Sequence, residues 1–202
     1  QALGLLAALF HTPVDNIEYI ESIMQIFAEH TAAEIERKSL EKTMRHMAHY
    51  DALTGLPNRV LLLERMRKSF QSAPHAGKIP TLMLINMSRF REINEVFGHQ
   101  NGDLVLQEIA TRLREVLLPE DCTIARLGGD EFAALFPSPS GEPPTIMAQK
   151  ILDVLWEPYL IEGLTIALEA NMGISVYSDH CQDESELLHQ GDVAMQQAKQ
   201  ER

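Results

Sequence analysis

Gly128-Gly129-Asp130-Glu131 is the stretch of this sequence whose residue types and spacing are suited to chemistry. An apolar segment, Thr123 to Leu127, runs into two glycines, two adjacent carboxylates and a second apolar segment. Apolar runs joined by a Gly-containing turn read as a β-hairpin. The glycines tolerate positive φ and let another backbone or a phosphate come close to the turn. Asp130 and Glu131 stand at its tip and, along a strand, point to opposite faces. Hard oxygen donors beside a glycine turn suit Mg²⁺ carrying a polyphosphate. Taken alone, however, these residues describe an ordinary acidic hairpin turn, so the rest of the chain must decide.

Composition narrows the classes first. The chain has 202 residues, 45% apolar and 23% charged, enough for one full domain with a sizeable core and an appendage. A formal net charge of −12 argues against sequence-independent nucleic-acid binding, which needs a basic face. It does not argue against a nucleotide, because a metal and a few local cations can hold a triphosphate. Cys122 and Cys181 fit no metal-ligand or redox spacing and read as reduced residues of a cytosolic domain. The apolar run Ala2 to Phe10 is too short to span a bilayer and lacks the basic flank of a signal peptide. The expectation is a cytoplasmic fragment with no membrane segment.

The elements that must position the hairpin follow from periodicity and breakers. Ala2 to Phe10, closed by Pro13, reads as a buried strand. Asp15 and Glu18 have capping-box spacing, and the pattern then stays helical to about Tyr50. Ile26, Ala33, Leu40 and Met47 recur at intervals of seven, a coiled-coil core spacing, while the companion positions Ile23, His30, Arg37 and Met44 are half polar. An amphipathic helix lying on its own domain is the other reading of that face. Asp51 to Arg59 breaks the helix with Gly55 and Pro57, and Asn58 can cap the next one, Val60 to Phe70. Gln71 to Pro80 reads as loop, Thr81 to Met87 as a central strand, Phe90 to Phe97 as a short helix, Gly98 to Asp103 as loop and Leu104 to Leu118 as helix. After the hairpin come a loop (Ser138 to Pro144), a helix (Thr145 to Trp156), strands over Leu164 to Ala170 and Met172 to Tyr177, and a last helix, Glu184 to Lys199.

Several strings in this order resemble one family. Gly128-Gly129-Asp130-Glu131-Phe132 is similar to the signature of GGDEF domains, the diguanylate cyclases. Asp51-Ala52-Leu53-Thr54-Gly55-Leu56-Pro57-Asn58-Arg59 resembles that family's opening motif. Asn86 to Asn94 followed by Gly98-His99 and Gly102-Asp103 resembles its D-[IL]-D-x-F-K-x-[IV]-N and G-H-x-x-G-D strings. Met172 to Tyr177 and Gly191 to Lys199 resemble its last strand and helix, with Gln196 in place of Tyr. The N-terminal strand, proline turn and helix look similar to the end of a GAF sensory domain. The resemblance implies an α+β fold with a mainly antiparallel, palm-like sheet on a ferredoxin-like core, flanked by helices and preceded by a long signalling helix. It divides the chain into a sensor remnant over 1–14, the signalling helix over 15–50 and the GGDEF domain over 51–202.

The same resemblance implies a site. Active members condense two GTP into cyclic di-GMP, each domain of an antiparallel pair holding one GTP. Carried over by position, the metal ligands for Mg (or Mn) are Asn86, the Met87 carbonyl, Asp130 and Glu131, the last two also catalytic. Asn94 and Asp103 read guanine, Arg91 and Lys199 hold β- and γ-phosphates, and the Met87 to Phe90 loop with Gly128 and Gly129 lies along the phosphates. Read without the family, Asn94 is a helix-end cap and Asp103 an N-cap. The partners implied are GTP, a second copy of the chain and an EAL phosphodiesterase domain further along.

Three departures qualify this. Asn86 and Ser88 stand where the family has aspartates, and an amide carries no charge for a hard cation. The positions of the family's R-x-x-D feedback site hold Pro119, Glu120, Asp121 and Cys122, with no Arg. An intact hairpin with an eroded strand motif resembles the regulatory half of GGDEF–EAL tandem proteins. The expected function is therefore a GTP-binding regulatory GGDEF domain; the alternative is an active diguanylate cyclase.

Overall fold

The computed structural model describes residues 7, 16–76, 78–117, 122–139, 143–178 and 183–200. In chain order these form α1 (Ile17–His49), α2 (Arg59–Ala76), β1 (Lys78–Ser88), α3 (Phe90–Phe97), α4 (His99–Val116), β2 (Thr123–Gly128), β3 (Glu131–Pro139), α5 (Thr145–Trp156), β4 (Tyr159–Ile161), β5 (Leu164–Ile166), β6 (Glu169–Val176) and α6 (Glu184–Gln200). The chain divides into two compact units, 1–48 and 49–202.

The first unit is described as α1. Asn16 Oδ1 accepts the Tyr19 N–H at 3.1 Å and caps the helix. Arg37 pairs with Glu34 and Glu41 one turn to either side, at 2.6 and 2.5 Å. No residue of α1 is buried, and Ile26, Leu40 and Met47 of the seven-residue stripe stand exposed. The strand read over Ala2 to Phe10 (Ala7 apart) and Asp15 of the capping box lie outside the described residues. Among the described residues no helix is long and apolar enough to cross a membrane.

The second unit is an α+β domain built on an antiparallel sheet of order β2-β3-β1-β6. β1 is central because it is apolar on both sides. Met83, Ile85 and Met87 face a core shared with Val105, Ile109 and Leu113 of α4 and Ile151 and Leu155 of α5. Leu82 and Leu84, on the alternate face, pack with Leu62 and Met66 of α2 and Leu187 and Met195 of α6. Each such side chain contributes about 1.5–3 kcal/mol when fully buried. Helices thus cover both faces and fix the end of β1, Asn86 to Ser88, against the β2–β3 turn.

Three readings of the sequence are corrected. Gln71 to Ala76 is helix, not loop: α2 continues past Phe70, whose ring stacks on Tyr177 at 4.4 Å, and β1 already begins at Lys78. Gly98 to Asp103 is not a loop either. Gly98, at φ 83°, reverses the chain by itself, and α4 begins at His99. Gly102 is a glycine for a steric reason, since a Cβ there would overlap Asn94 Oδ1 and lie 3.3 Å from the Phe90 ring. Leu164 to Ala170 is not one strand. Glu162 and Gly163, at φ 48° and 82°, form a two-residue turn joining β4 to β5, and the chain then leaves that small hairpin to add β6 to β1.

β6 and α6 touch through glycine. A Cβ on Gly173 would overlap the Gly191 carbonyl oxygen and lie 2.5 Å from the Met195 N, both backbone atoms. Ser175 Oγ donates to the Leu187 carbonyl at 2.8 Å beside this contact. Gly173→Ala is expected to push α6 off the sheet and destabilise the domain by at least ~2 kcal/mol, as overpacking against backbone does. Thermal unfolding measures this, and an unchanged melting temperature would show that α6 is not seated on Gly173.

Candidate functional site

The β2–β3 turn is held from behind by Arg126. Gly128 and Gly129 lie at φ 142° and 52° with open space where a Cβ would stand, so glycine is required here by backbone conformation. A register shift between Arg126 and Gly128 lets the Arg126 side chain turn back on its own loop. Its guanidinium donates to the Gly129 carbonyl from Nε at 3.1 Å and Nη2 at 2.8 Å. Its remaining nitrogen, Nη1, donates to both Asp51 carboxylate oxygens at 3.0 and 3.2 Å.

Asp51 also accepts the Thr54 amide at 2.9 Å and the Thr54 hydroxyl at 2.6 Å. Burial by itself raises the Asp51 carboxyl; the Thr54 donors and the Arg126 charge outweigh it and hold the group below the usual carboxylate range. The rest of this turn is tied to the domain by Arg114 Nη2 on the Thr54 carbonyl (2.8 Å) and by the Arg126 N–H on the Pro57 carbonyl (2.9 Å). Asn58 Oδ1 accepts the Val60 and Leu61 N–H groups and caps α2.

In front of the turn lies the end of β1. Asn86, 8% exposed, stands opposite Glu131 on β3 and Asn171 on β6. Its Nδ2 donates to Asp130 Oδ2 at 3.2 Å, and the Met87 N–H donates to the Asp130 carbonyl, also at 3.2 Å. Ser88 Oγ accepts from Asn171 Nδ2 at 2.7 Å.

Beside Asp130 opens a cleft of about 590 Å³ lined by Phe90, Arg91, Asn94, Glu95, His99, Asp103, Leu106, Arg126, Gly129 and Asp130. Phe90 and Leu106 form its buried apolar floor. Asn94 Oδ1 is buried against Gly102 with no hydrogen-bond donor, and an unmet buried acceptor costs about 1–3 kcal/mol. Asp103 stands exposed inside α4, past its first turn, so the N-cap reading of this residue does not hold. Arg91 is largely exposed and pairs with Glu95 at 2.9 Å.

Of the residues singled out in the sequence, Phe90, Arg91, Asn94, Asp103, Gly129 and Asp130 come together in this cleft. Asn86 and Met87 reach it through Asp130. Gly128 and Glu131 flank the turn without lining the cleft, and Lys199 is exposed in the last turn of α6, also outside the lining. Sequence reasoning gave no role to Arg126, Glu95, His99 or Leu106, although His99 stands in a matched string. The only signal for Arg126 was its place two residues before the glycine pair.

The donors do not fit magnesium or manganese in the arrangement the resemblance implies. Asn86 presents its N–H, not its oxygen, to Asp130. A cation there must break that bond and turn the amide over, and it gains no charge from the amide. Among the described residues, no three His, Cys, Asp or Glu side chains gather as a metal set.

Comparison with known proteins agrees with the sequence resemblance. The family model for "Diguanylate cyclase, GGDEF domain" matches residues 48–202. The diguanylate cyclase TpbB of Pseudomonas aeruginosa (strain UCBPP-PA14) is 38% identical over 161 residues, which are 79% of this chain and 37% of TpbB. The bifunctional diguanylate cyclase/cyclic di-GMP phosphodiesterase MucR of Pseudomonas aeruginosa PAO1 is 35% identical over 76% of this chain and 22% of MucR. The chain therefore spans well under half of each of these relatives. A sensory box/GGDEF family protein from Caulobacter crescentus CB15 superposes with a TM-score of 0.71 at 30% identity, covering 76% of this chain and 99% of that one.

The Asp51–Arg126 pair gives a pH-dependent expectation. With its folded-state carboxyl held low, Asp51 stabilises the domain fully above its unfolded pKa of about 4 and loses that contribution as pH falls through the lower folded value. Asp51→Asn is expected to cost about 1–3 kcal/mol at neutral pH, the range for hydrogen bonds to charged groups. The difference between variant and unmutated chain should vanish in acid. Denaturant unfolding across pH tests this, and a difference that persists unchanged in acid would overturn it.

Proposed function

Because the chain belongs to the GGDEF family of diguanylate cyclase domains, we propose that it is a GTP-binding regulatory domain of cyclic di-GMP signalling whose cyclase chemistry is weakened. The observation that carries this reading is the Asn86–Asp130 hydrogen bond. Condensing two GTP requires each 3′-hydroxyl to attack the other nucleotide's α-phosphate, with charge building on oxygens that cations normally neutralise. Here a neutral amide stands where the family has a carboxylate, and it is turned to donate rather than to ligate.

Binding is better supported than turnover. Asn94 and Asp103 line one cleft, and in this reading the guanine edge offers its N1–H and amino donors to the Asp103 carboxylate. Arg91 and Lys199 hold the phosphates in this reading. In this reading α1 pairs with a second copy through Ile26, Ala33, Leu40 and Met47 as the signalling helix of a GAF-like sensor. The regulated partner is an EAL-type phosphodiesterase domain, as the bifunctional name of MucR suggests. A second reading, an active diguanylate cyclase, is favoured by the intact hairpin and by the similarity to TpbB.

Calorimetry with GTP and a product assay on the dimer separate these readings, since each chain supplies half of the reaction site. Asp103→Asn is expected to weaken GTP binding by about 1–3 kcal/mol, the scale of a hydrogen bond to a charged group, with ATP binding weak before and after. Equal affinity for GTP and ATP in the unmutated chain would overturn the guanine assignment. Asn86→Asp is expected to raise cyclase turnover in Mg²⁺ by at least about tenfold, or ~1.4 kcal/mol of barrier. An unmutated chain that already turns over well, and gains nothing from Asn86→Asp, would establish the cyclase reading instead.

A further inference from the structure

A second groove, of about 670 Å³, shares no lining residue with the cleft beside Asp130. The short helix α3 borders both. Phe90, Arg91, Asn94 and Glu95 line the cleft, whereas Arg89, Glu92 and Ile93 line the groove, a division that follows helical periodicity. Trp156, the last residue of α5, together with Leu168 and Glu169 from the entry to β6, lines it as well. Glu169 stands opposite Ser88 in the β1–β6 register, which brings the start of β6 alongside the start of α3.

The chemistry of this lining points to a cation carried on an apolar stem. Trp156 is the only tryptophan of the chain and is 42% exposed. Its ring face attracts cations, and a tryptophan in a concave surface is the residue type on which interfaces most often anchor. Leu168 is buried and Ile93 half-buried, so they supply an apolar floor. Glu92 on α3 and Glu169 on β6 bring two exposed carboxylates from different elements, against the single charge of Arg89. An anionic ligand would meet both carboxylates, and a purely apolar one would leave them unused. An arginine side chain meets all three features. Its guanidinium stacks on an aromatic face and donates to carboxylates, and its methylene stem covers apolar surface. The formal charge of −12 attracts a basic partner over longer range.

We propose that this groove docks an arginine-bearing segment of a protein partner, with the guanidinium on Trp156 between Glu92 and Glu169. The partner then sits against α3 on residues that the cleft beside Asp130 does not use.

Because Trp156 is the only tryptophan, its fluorescence reports the groove directly. The test titrates the full 202-residue chain with capped alanine–arginine–alanine, and with the same tripeptide carrying glutamate or glutamine at its centre. The arginine peptide is expected to shift Trp156 emission saturably, and the other two to bind more weakly. Glu92→Gln and Glu169→Gln should each weaken arginine-peptide binding by about threefold, the scale of an exposed ion pair. Arg89→Gln, which removes the repelling charge, should tighten it. Raising the salt from about 0.05 to about 0.5 M should weaken binding to the unmutated chain. Glu115→Gln removes the same charge from α4, outside the groove, and serves as the control. Loss in Glu115→Gln equal to that in the groove variants would show only general attraction to an acidic chain and overturns the proposal. So does an acidic peptide that binds as well as the basic one, or an arginine peptide that leaves Trp156 emission unchanged. Melting temperatures show whether the variants are folded, and the peptide comparison on the unmutated chain decides the question by itself if they are not.

Discussion

One guanidinium holds the site in shape. Arg126 joins the Asp51 carboxylate, at the start of the turn that follows α1, to the Gly129 carbonyl, at the tip of the β2–β3 hairpin. The tip residues have positive φ and no side chains, so nothing of their own fixes where Asp130 points. Arg126 can do so because it is nearly buried, at 11% exposed, and its planar fork meets two acceptors in fixed directions. A lysine could carry the charge but could not satisfy both. The neighbouring bonds, Thr54 on Asp51, Arg114 on Thr54 and Arg126 N–H on Pro57, make the opening turn and the hairpin one rigid piece.

That arrangement shows what a sequence can and cannot disclose. The hairpin was legible because its pattern is local: two apolar runs, two glycines and carboxylates at the tip. The convergence of Phe90, Asn94 and Asp103 on one cleft was legible only through the family resemblance; α3 and α4, reversed at Gly98, bring them together. Arg126 and Asp51 are 75 residues apart, and no periodicity links an arginine inside a strand to an aspartate in a distant turn. The two glycines of the α3–α4 segment misled for a related reason. Both read as breakers, yet Gly98 serves backbone conformation and Gly102 makes room for Asn94, and only packing separates these causes. The Glu162-Gly163 turn was present in the sequence and went unread, and the break between β5 and β6 was absorbed into one strand, Leu164 to Ala170.

The first unit poses a different balance. Isolated helices gain most of their stability from tertiary packing of an apolar face, and α1 has no buried residue. Its Arg37 pairs with Glu34 and Glu41 are exposed and contribute little. The exposed Ile26, Leu40 and Met47 on the seven-residue stripe are therefore the surface from which a partner helix would draw its stabilisation.

In the second unit, replacing a carboxylate by an amide at position 86 changes more than the charge offered to a cation. An aspartate there would bring a carboxylate to about the distance at which Asn86 Nδ2 now meets Asp130 Oδ2, 3.2 Å, in a position only 8% exposed. Two carboxylates so placed cannot both stay ionised without a cation, and one would take up a proton instead. A site of that kind ties the order of the hairpin tip to cation binding, as suits an enzyme whose chemistry requires the metal. The amide removes the coupling. With Asn86 donating to Asp130 and the Met87 N–H donating to the Asp130 carbonyl, the tip is held on β1 by neutral donors, and Arg126 fixes it from behind. The cleft beside it can then stay formed whether or not a cation is present.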